Sequence, residues 1–335
     1  MPPGSMTVEV QRATPADALE WVAAWEACPY ATFFHSPAWY ATWQGYTGGA
    51  LVPATARLEL GEAPPVVVPL AVRSGRLGVW RHYESSPGWT YGGWLAPREL
   101  TADQAGAVAA WMARRCPELV WRWNPFAGEP AELGGLAARE DFTHVLDLDG
   151  GRAALEQSWS APRASMGRKI RKARDSGVEV RVAGDVADWD HYDACYRETI
   201  DRWGARATTV YARSFFDDLR AHGGDRVRLW IAEHNDRVLA GAICLEASRH
   251  VVYWHGAARH EAFPLRALNL LLAEAALDAC DRGKRWFDFN PSGGLAGVEH
   301  FKESFGARRL ASPVVERRTP GSPVRRVLSA IRAWR

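Results

Sequence analysis

Two stretches of this chain, near residues 33–96 and 208–260, run through the same series of patterns, and this internal similarity constrains the fold more than any single motif does. Each begins with an aromatic-rich helical segment closed by glycine: Ser36 to Trp43 before Gly45, and Tyr211 to Leu219 before Gly223-Gly224. Two strand-like runs follow in each. In the second stretch they are Arg228 to Glu233 and Val238 to Leu245, joined by His234-Asn235-Asp236-Arg237, a polar turn of hairpin length. In the first they are Ala54 to Leu60 and Val66 to Val72, joined by Gly61-Glu62-Ala63-Pro64-Pro65. A third run completes each copy, Trp89 to Gly93 and Val251 to Gly256. Duplication of one α/β unit accounts for this most economically. With 335 residues, 47% of them hydrophobic, the chain is long enough for two cores.

Beyond the second copy, Leu265, Leu268, Leu272, Ala275, Ala276 and Ala279 recur at helical spacing, and Gly283 stands where a helix end favours it. Trp286 to Asn290 then reads as a strand, with Trp286, Asp288 and Asn290 expected on one face and both phenylalanines on the other. Pro291 to Gly297 follows as a glycine-rich loop. No apolar run has the length of a membrane span, and Met1 to Arg12 does not read as a signal segment, so a soluble, cytoplasmic protein is expected. Cys28, Cys116, Cys195, Cys244 and Cys280 are widely spaced and odd in number, which points to reduced thiols and no structural metal.

A formal net charge of +2, from 41 Lys and Arg against 39 Asp and Glu, leaves any nucleic-acid contact to local patches. One patch is Arg163, Arg168, Lys169, Arg171, Lys172 and Arg174. On a helix, Arg168, Arg171, Lys172 and Asp175 share a stripe suited to phosphate. The other is the amphipathic tail from Pro323 to Arg335, open to packing on the body, touching RNA or making peripheral contact with an anionic membrane.

Thr143 to Leu148, the basic run into Gly177-Val178-Glu179-Val180, Phe287-Asp288-Phe289 and the terminal Phe301-Lys302-Glu303-Ser304-Phe305-Gly306 together resemble the FemAB family over roughly residues 30–318. The resemblance implies an α/β (α+β) fold of two tandem GNAT-like domains, each a mixed, mostly antiparallel sheet flanked by helices. The expected limits are 7–150 and 151–320, with a basic tail at 321–335. The activity it implies is transfer of an amino acid from aminoacyl-tRNA to an amine, in a cell-wall precursor or a peptide-like natural product, with no DNA partner and no cofactor beyond the charged tRNA. Two alternatives stay open: an acyl-CoA N-acyltransferase, and a non-catalytic module associated with tRNA or membrane. Acetyl-CoA enzymes of this fold carry a glycine-bearing turn whose N–H groups hold pyrophosphate at a helix start. Here Arg259 to Ala267 lacks those glycines and contains Glu261, which favours the tRNA donor.

The resemblance places Lys302, in the Phe301-Lys302 pair, as an ammonium beside the tetrahedral oxygen or a clamp on the terminal nucleotide's phosphate. Asp288 and Asn290 are candidates to take the amine proton or orient the acceptor, with Tyr253 and His255 as further catalytic candidates. Phe301 and the six basic residues from Arg163 to Arg174 are the donor-binding candidates. Arg202, Trp203 and Arg206 offer cations and a ring for the acceptor, with His35, Tyr83 and Tyr91 as walls of a cleft expected between the domains or on the first.

Overall fold

The computed structural model describes residues 8–74, 81–128, 136–162, 164–204 and 209–318, which divide into two units: residues 8–142 with 311–318, and residues 143–310. The first unit contains strand β1 (Arg12–Pro15), helices α1 (Ala18–Ala27) and α2 (Pro37–Tyr46), and strands β2 (Leu51–Pro53), β3 (Ala56–Glu59), β4 (Val66–Val68), β5 (Ala71–Ser74), β6 (Arg81–Glu84) and β7 (Tyr91–Gly92). Helix α3 (Ala102–Arg115), β8 (Leu119–Trp123) and β9 (Ala138–Arg139) complete its continuous part. Local chemistry fixes the helix starts. Asp17 with Glu20, and Thr101 with Gln104, form reciprocal caps, and Ser36 caps α2 just ahead of Pro37.

The unit's main sheet has the order β2-β5-β6-β8-β17-β9, with β7 beside β8; β17 (Val314–Arg317) comes from the end of the described chain. A three-stranded sheet, β1-β3-β4, takes the hairpin read at Ala54 to Val72. That run does not continue as one strand. Pro69 has no N–H for a ladder, so the chain breaks there into β4 and β5, which join different sheets. The counterpart of the Val251 run is therefore β6, and not Trp89 to Gly93, which forms a tight turn at Pro87–Trp89 followed by the two-residue β7.

The second unit holds β10 (Phe142–Asp147), α4 (Gly151–Ser160), α5 (Met166–Asp175), β11 (Glu179–Val182), α6 (Val186–Trp203), α7 (Arg213–Gly223) and β12 (Val227–His234). It continues with β13 (Arg237–Glu246), β14 (His250–Ala258), α8 (Ala262–Leu265), α9 (Ala267–Asp281), β15 (Trp286–Asp288), α10 (Ala296–Glu303) and β16 (Arg308–Ala311). Asn235 and Asp236 both take positive φ, 51° and 59°, as the two-residue turn between β12 and β13 requires. The sheet order is β11-β12-β13-β14-β15-β10-β16. Pairing along β12-β13-β14-β15-β10 runs antiparallel, antiparallel, parallel, antiparallel. Along β2-β5-β6-β8-β17 it runs through the same senses, with α3 and α9 as the crossovers of the two parallel pairs. The duplication is thus present in the strand order itself.

Helix α9 is apolar nearly all round, from Ala267 through Leu270, Leu271, Leu272 and Ala276 to Ala279, and is buried accordingly. Against it packs α5, through Met166, Ile170 and Ala173. Gly283 (φ 70°) ends α9 in a Schellman motif: Lys284 N–H reaches Ala279 O and Gly283 N–H reaches Cys280 O, both at 3.0 Å. Where the sequence reading puts residues up to 320 in the second domain, β17 pairs with β8 and β9 of the first sheet. Its Val314 and Val315 are buried, and burial decides the allegiance of the segment. The tail at 321–335 lies outside the described residues. Among the described residues no helix is long and apolar enough to cross a membrane.

Candidate active site

Strands β14 and β15 run parallel only from His250–Trp286 to Val252–Asp288, although β14 continues to Ala258. From Tyr253 onward the two chains separate, and the sheet opens at the end of β15. Asp288 is the last paired residue and is completely buried. Its Oδ1 accepts from Thr143 Oγ1 at 2.6 Å and from Asn290 N at 2.8 Å, while Oδ2 faces His250 Nε2 at 3.3 Å. Asn290 has φ 62°, so the strand alternation expected through residue 290 stops two residues earlier. The Asp288 side chain closes a turn on the Asn290 N–H, as short acidic side chains do. Asn290 thereby contributes its backbone: its carbonyl accepts from Lys302 Nζ at 2.5 Å.

Lys302 sits on α10 and is 3% exposed, so its ammonium is held by the protein and not by bulk water. Burial pushes its pKa down to about 8; the nearby Asp288 and Glu299 carboxylates pull the other way. His144, on β10, has Nε2 3.6 Å from Glu303, and its pKa is lowered by burial and then by Lys302. Phe301 packs its ring 5.3 Å from Phe305, at the margin of the core.

Tyr253 and His255 do not act together. The ladder pairs Ile243 with His255 and Cys244 with Tyr253, leaving Trp254 as a bulge. Tyr253 faces the core under α9, while His255 faces α6 and α7, within 4.6–6.0 Å of the rings of Tyr192, Tyr196, Phe216, Tyr211 and Trp254. Its Nδ1 hydrogen-bonds Tyr192 Oη. Enclosure pushes the imidazole pKa down to about 3, too low for a base that removes an ammonium proton at neutral pH.

Of the basic run, Lys169 turns inward, donating from Nζ to Ser304 Oγ at 3.0 Å, and Arg174 pairs with Glu274 at 2.6 Å. Arg168, Arg171 and Lys172 are exposed on α5 and have no ion-pair partner among the described residues. Arg163 and Arg206 lie outside the described residues. The acceptor walls expected from the first unit are instead core residues. His35 Nδ1 bonds Thr32 Oγ1, Tyr83 Oη accepts from Arg115, and Tyr91 packs against Phe34 and Phe126; all three are at most 2% exposed. Arg202 is spent on Ala258 O at 3.0 Å and on the Phe263 ring, while Trp203 is 46% exposed. Sequence reasoning missed Thr143 and His250 as partners of Asp288. They stand 145 and 38 residues from it, and only strand order brings the three together.

Residues 160–303 match the family described as Acetyltransferase (GNAT) domain, and no curated protein matches the chain. Among solved structures the chain is similar to FemX, with a TM-score of 0.70 and 12% identity over 90% of this chain and 97% of that one. It is also similar to a conserved protein of unknown function from Bacteroides thetaiotaomicron VPI-5482, with a TM-score of 0.54 and 10% identity over 92% of this chain and 100% of that one. A third likeness is to L-PGS from Bacillus licheniformis, with a TM-score of 0.51 and 10% identity over 78% of this chain and 85% of that one. At such identities the likeness is one of fold. The chain thus has a Fem-like, duplicated GNAT fold, and the residues that match the acetyltransferase (GNAT) domain lie within the second unit.

Proposed function

We propose that the protein is a Fem-like aminoacyltransferase that moves an amino acid from aminoacyl-tRNA to an amine acceptor and forms an amide bond. The observation that carries this reading is the buried Lys302 ammonium, held on the Asn290 carbonyl where β14 and β15 part. An aminoacyl ester is already activated, so positioning and charge stabilisation suffice. The neutral amine adds to the ester carbonyl, and Lys302 steadies the oxyanion. The carbonyl re-forms as the C–O bond to the terminal ribose breaks, and the proton lost by the amine goes to that ribose oxygen. Of the three N–H bonds of Lys302, one is engaged by Asn290, which leaves donors for the oxyanion.

The choice of donor rests on two features. Arg168, Arg171 and Lys172 present an exposed cationic face. The turn before α9, Arg259 to Arg266, has no glycine, and Glu261 is exposed there, paired at 3.1 Å with Arg237. A cytoplasmic setting suits such a donor, and the acceptor class is an amine of a cell-wall precursor or of a peptide-like natural product. One observation favours an acyl-CoA donor instead: β14 has no β15 partner from Tyr253 onward, an edge that an amide-bearing chain can pair with. Filter binding and transfer assays with a pool of charged tRNAs against CoA thioesters, over a panel of amines, separate the two. Retention of charged tRNA with label passed to an acceptor is expected; response to CoA thioesters alone overturns the tRNA reading.

A further inference from the structure

Asp288 touches neither solvent nor any surface a substrate could reach, and both its oxygens are engaged within the fold. A carboxylate so placed cannot collect a proton from an acceptor. Its contacts point elsewhere: the two on Oδ1 lead to the Asn290 carbonyl, and His250 holds the other oxygen. Thr143 Oγ1 fixes Oδ1 at 2.6 Å, that same oxygen holds the Asn290 N–H at 2.8 Å, and the positive φ of Asn290 (62°) turns its carbonyl to Lys302 Nζ at 2.5 Å. Thr143 and His250, like Asp288, are wholly buried, so this chain of contacts has no slack through water.

We propose that Asp288, held by Thr143 and His250, is a positioning residue for Lys302: it aims the Asn290 carbonyl that grips the ammonium and supplies the buried countercharge. The inference rests on the reading of Lys302 as the group beside the reacting ester. A buried ammonium without a nearby anion costs several kcal/mol, which makes the countercharge necessary and not incidental. The other charged or titratable groups facing Lys302 are Glu299 on its own helix and His144 on β10, with Glu303 beside His144. Of these Asp288 alone also shapes the Asn290 turn.

The test begins without substrate. In protein carrying 13C-labelled lysine, the Lys302 midpoint in Asp288→Asn is expected to fall by about one pH unit or more, since loss of an anion disfavours the ammonium. The alkaline limb of kcat should move the same way with KM little changed. Thr143→Val, which leaves the charge but frees the carboxylate, is expected to lower kcat roughly tenfold, and Thr143→Ser to restore it. An unmoved Lys302 midpoint in folded Asp288→Asn, or full turnover in Thr143→Val, overturns the proposal. If the midpoint moves but wild-type protein transfers nothing from charged tRNA, the positioning role stands and the donor reading fails.

Discussion

Lys302 carries two expectations that separate chemistry from folding. With a pKa of about 8 it is charged in roughly nine-tenths of molecules at pH 7, as an oxyanion partner must be. Lys302→Met keeps the length of the stem and removes the charge, and should lower transfer by about 10²–10³-fold or more, with the fold intact by circular dichroism. The same ionisation gives a stability signature. In the unfolded chain the lysine returns to its ordinary 10.5, so between pH 8 and 10.5 the unfolded state binds more protons. Wild-type stability should therefore rise across that window relative to Lys302→Met, by at most roughly 3 kcal/mol, and lie flat relative to it below pH 8. Urea melts at pH 7.5 and 10 check the sign. His255 offers the opposite test. Its imidazole is expected to stay neutral down to about pH 3, so its ring carbon should show no titration above pH 5. A midpoint near 6.5 would return His255 to the list of bases.

Helix α5 divides its charges between structure and surface. Lys169 and Arg174 are tied to Ser304 and Glu274, whereas Arg168, Arg171 and Lys172 face solvent. Changing the last three to glutamine should leave stability within about 0.5 kcal/mol. It should weaken charged-tRNA binding and reduce its salt slope by roughly two to three, read from binding between 50 and 200 mM salt. An unchanged slope would leave these residues as a solvated face. Elements of this kind were legible in sequence wherever the signal was local. The helical spacing from Leu268 to Ala279 with Gly283, and the hairpin at His234 to Arg237, read correctly because periodicity, a cap and a turn each act within a few residues, whereas Leu265, counted in the same helix, belongs to α8 and is cut off by Arg266 at φ 61°. Pro69, which splits one expected strand between two sheets, carried a local signal as well, but one outweighed by the hydrophobic run around it. The bulge at Trp254 had none, since it depends on strands that meet only in the folded sheet, whereas the turn at Asn290 rests on the Asp288 side chain two residues before it, a local cue outweighed by the strand pattern read through Asn290.

At the scale of the whole chain, duplication was readable as a recurring series of patterns, but its closure was not. The first sheet is completed by β17, whose residues follow β8 by almost two hundred positions and pair with it from Val314–Arg122 to Arg317–Leu119. Nothing near β17 in sequence says which sheet it joins. Val314 and Val315 are each 1% exposed, and Ser312 Oγ donates to Trp123 O at 2.7 Å, so the segment is locked to β8 by packing and by a ladder. The first unit's stability should then depend on residues far along the chain from the rest of its sheet. Replacing both valines by alanine is expected to cost about 2–4 kcal/mol. Hydrogen exchange should show the loss concentrated in β8 and β6, with α9 and β13 of the second unit protected as before. Equal loss of protection in α9 and β13 would mean that the two units unfold as one cooperative block, and the fold would have to be treated as a single folding unit built from two copies.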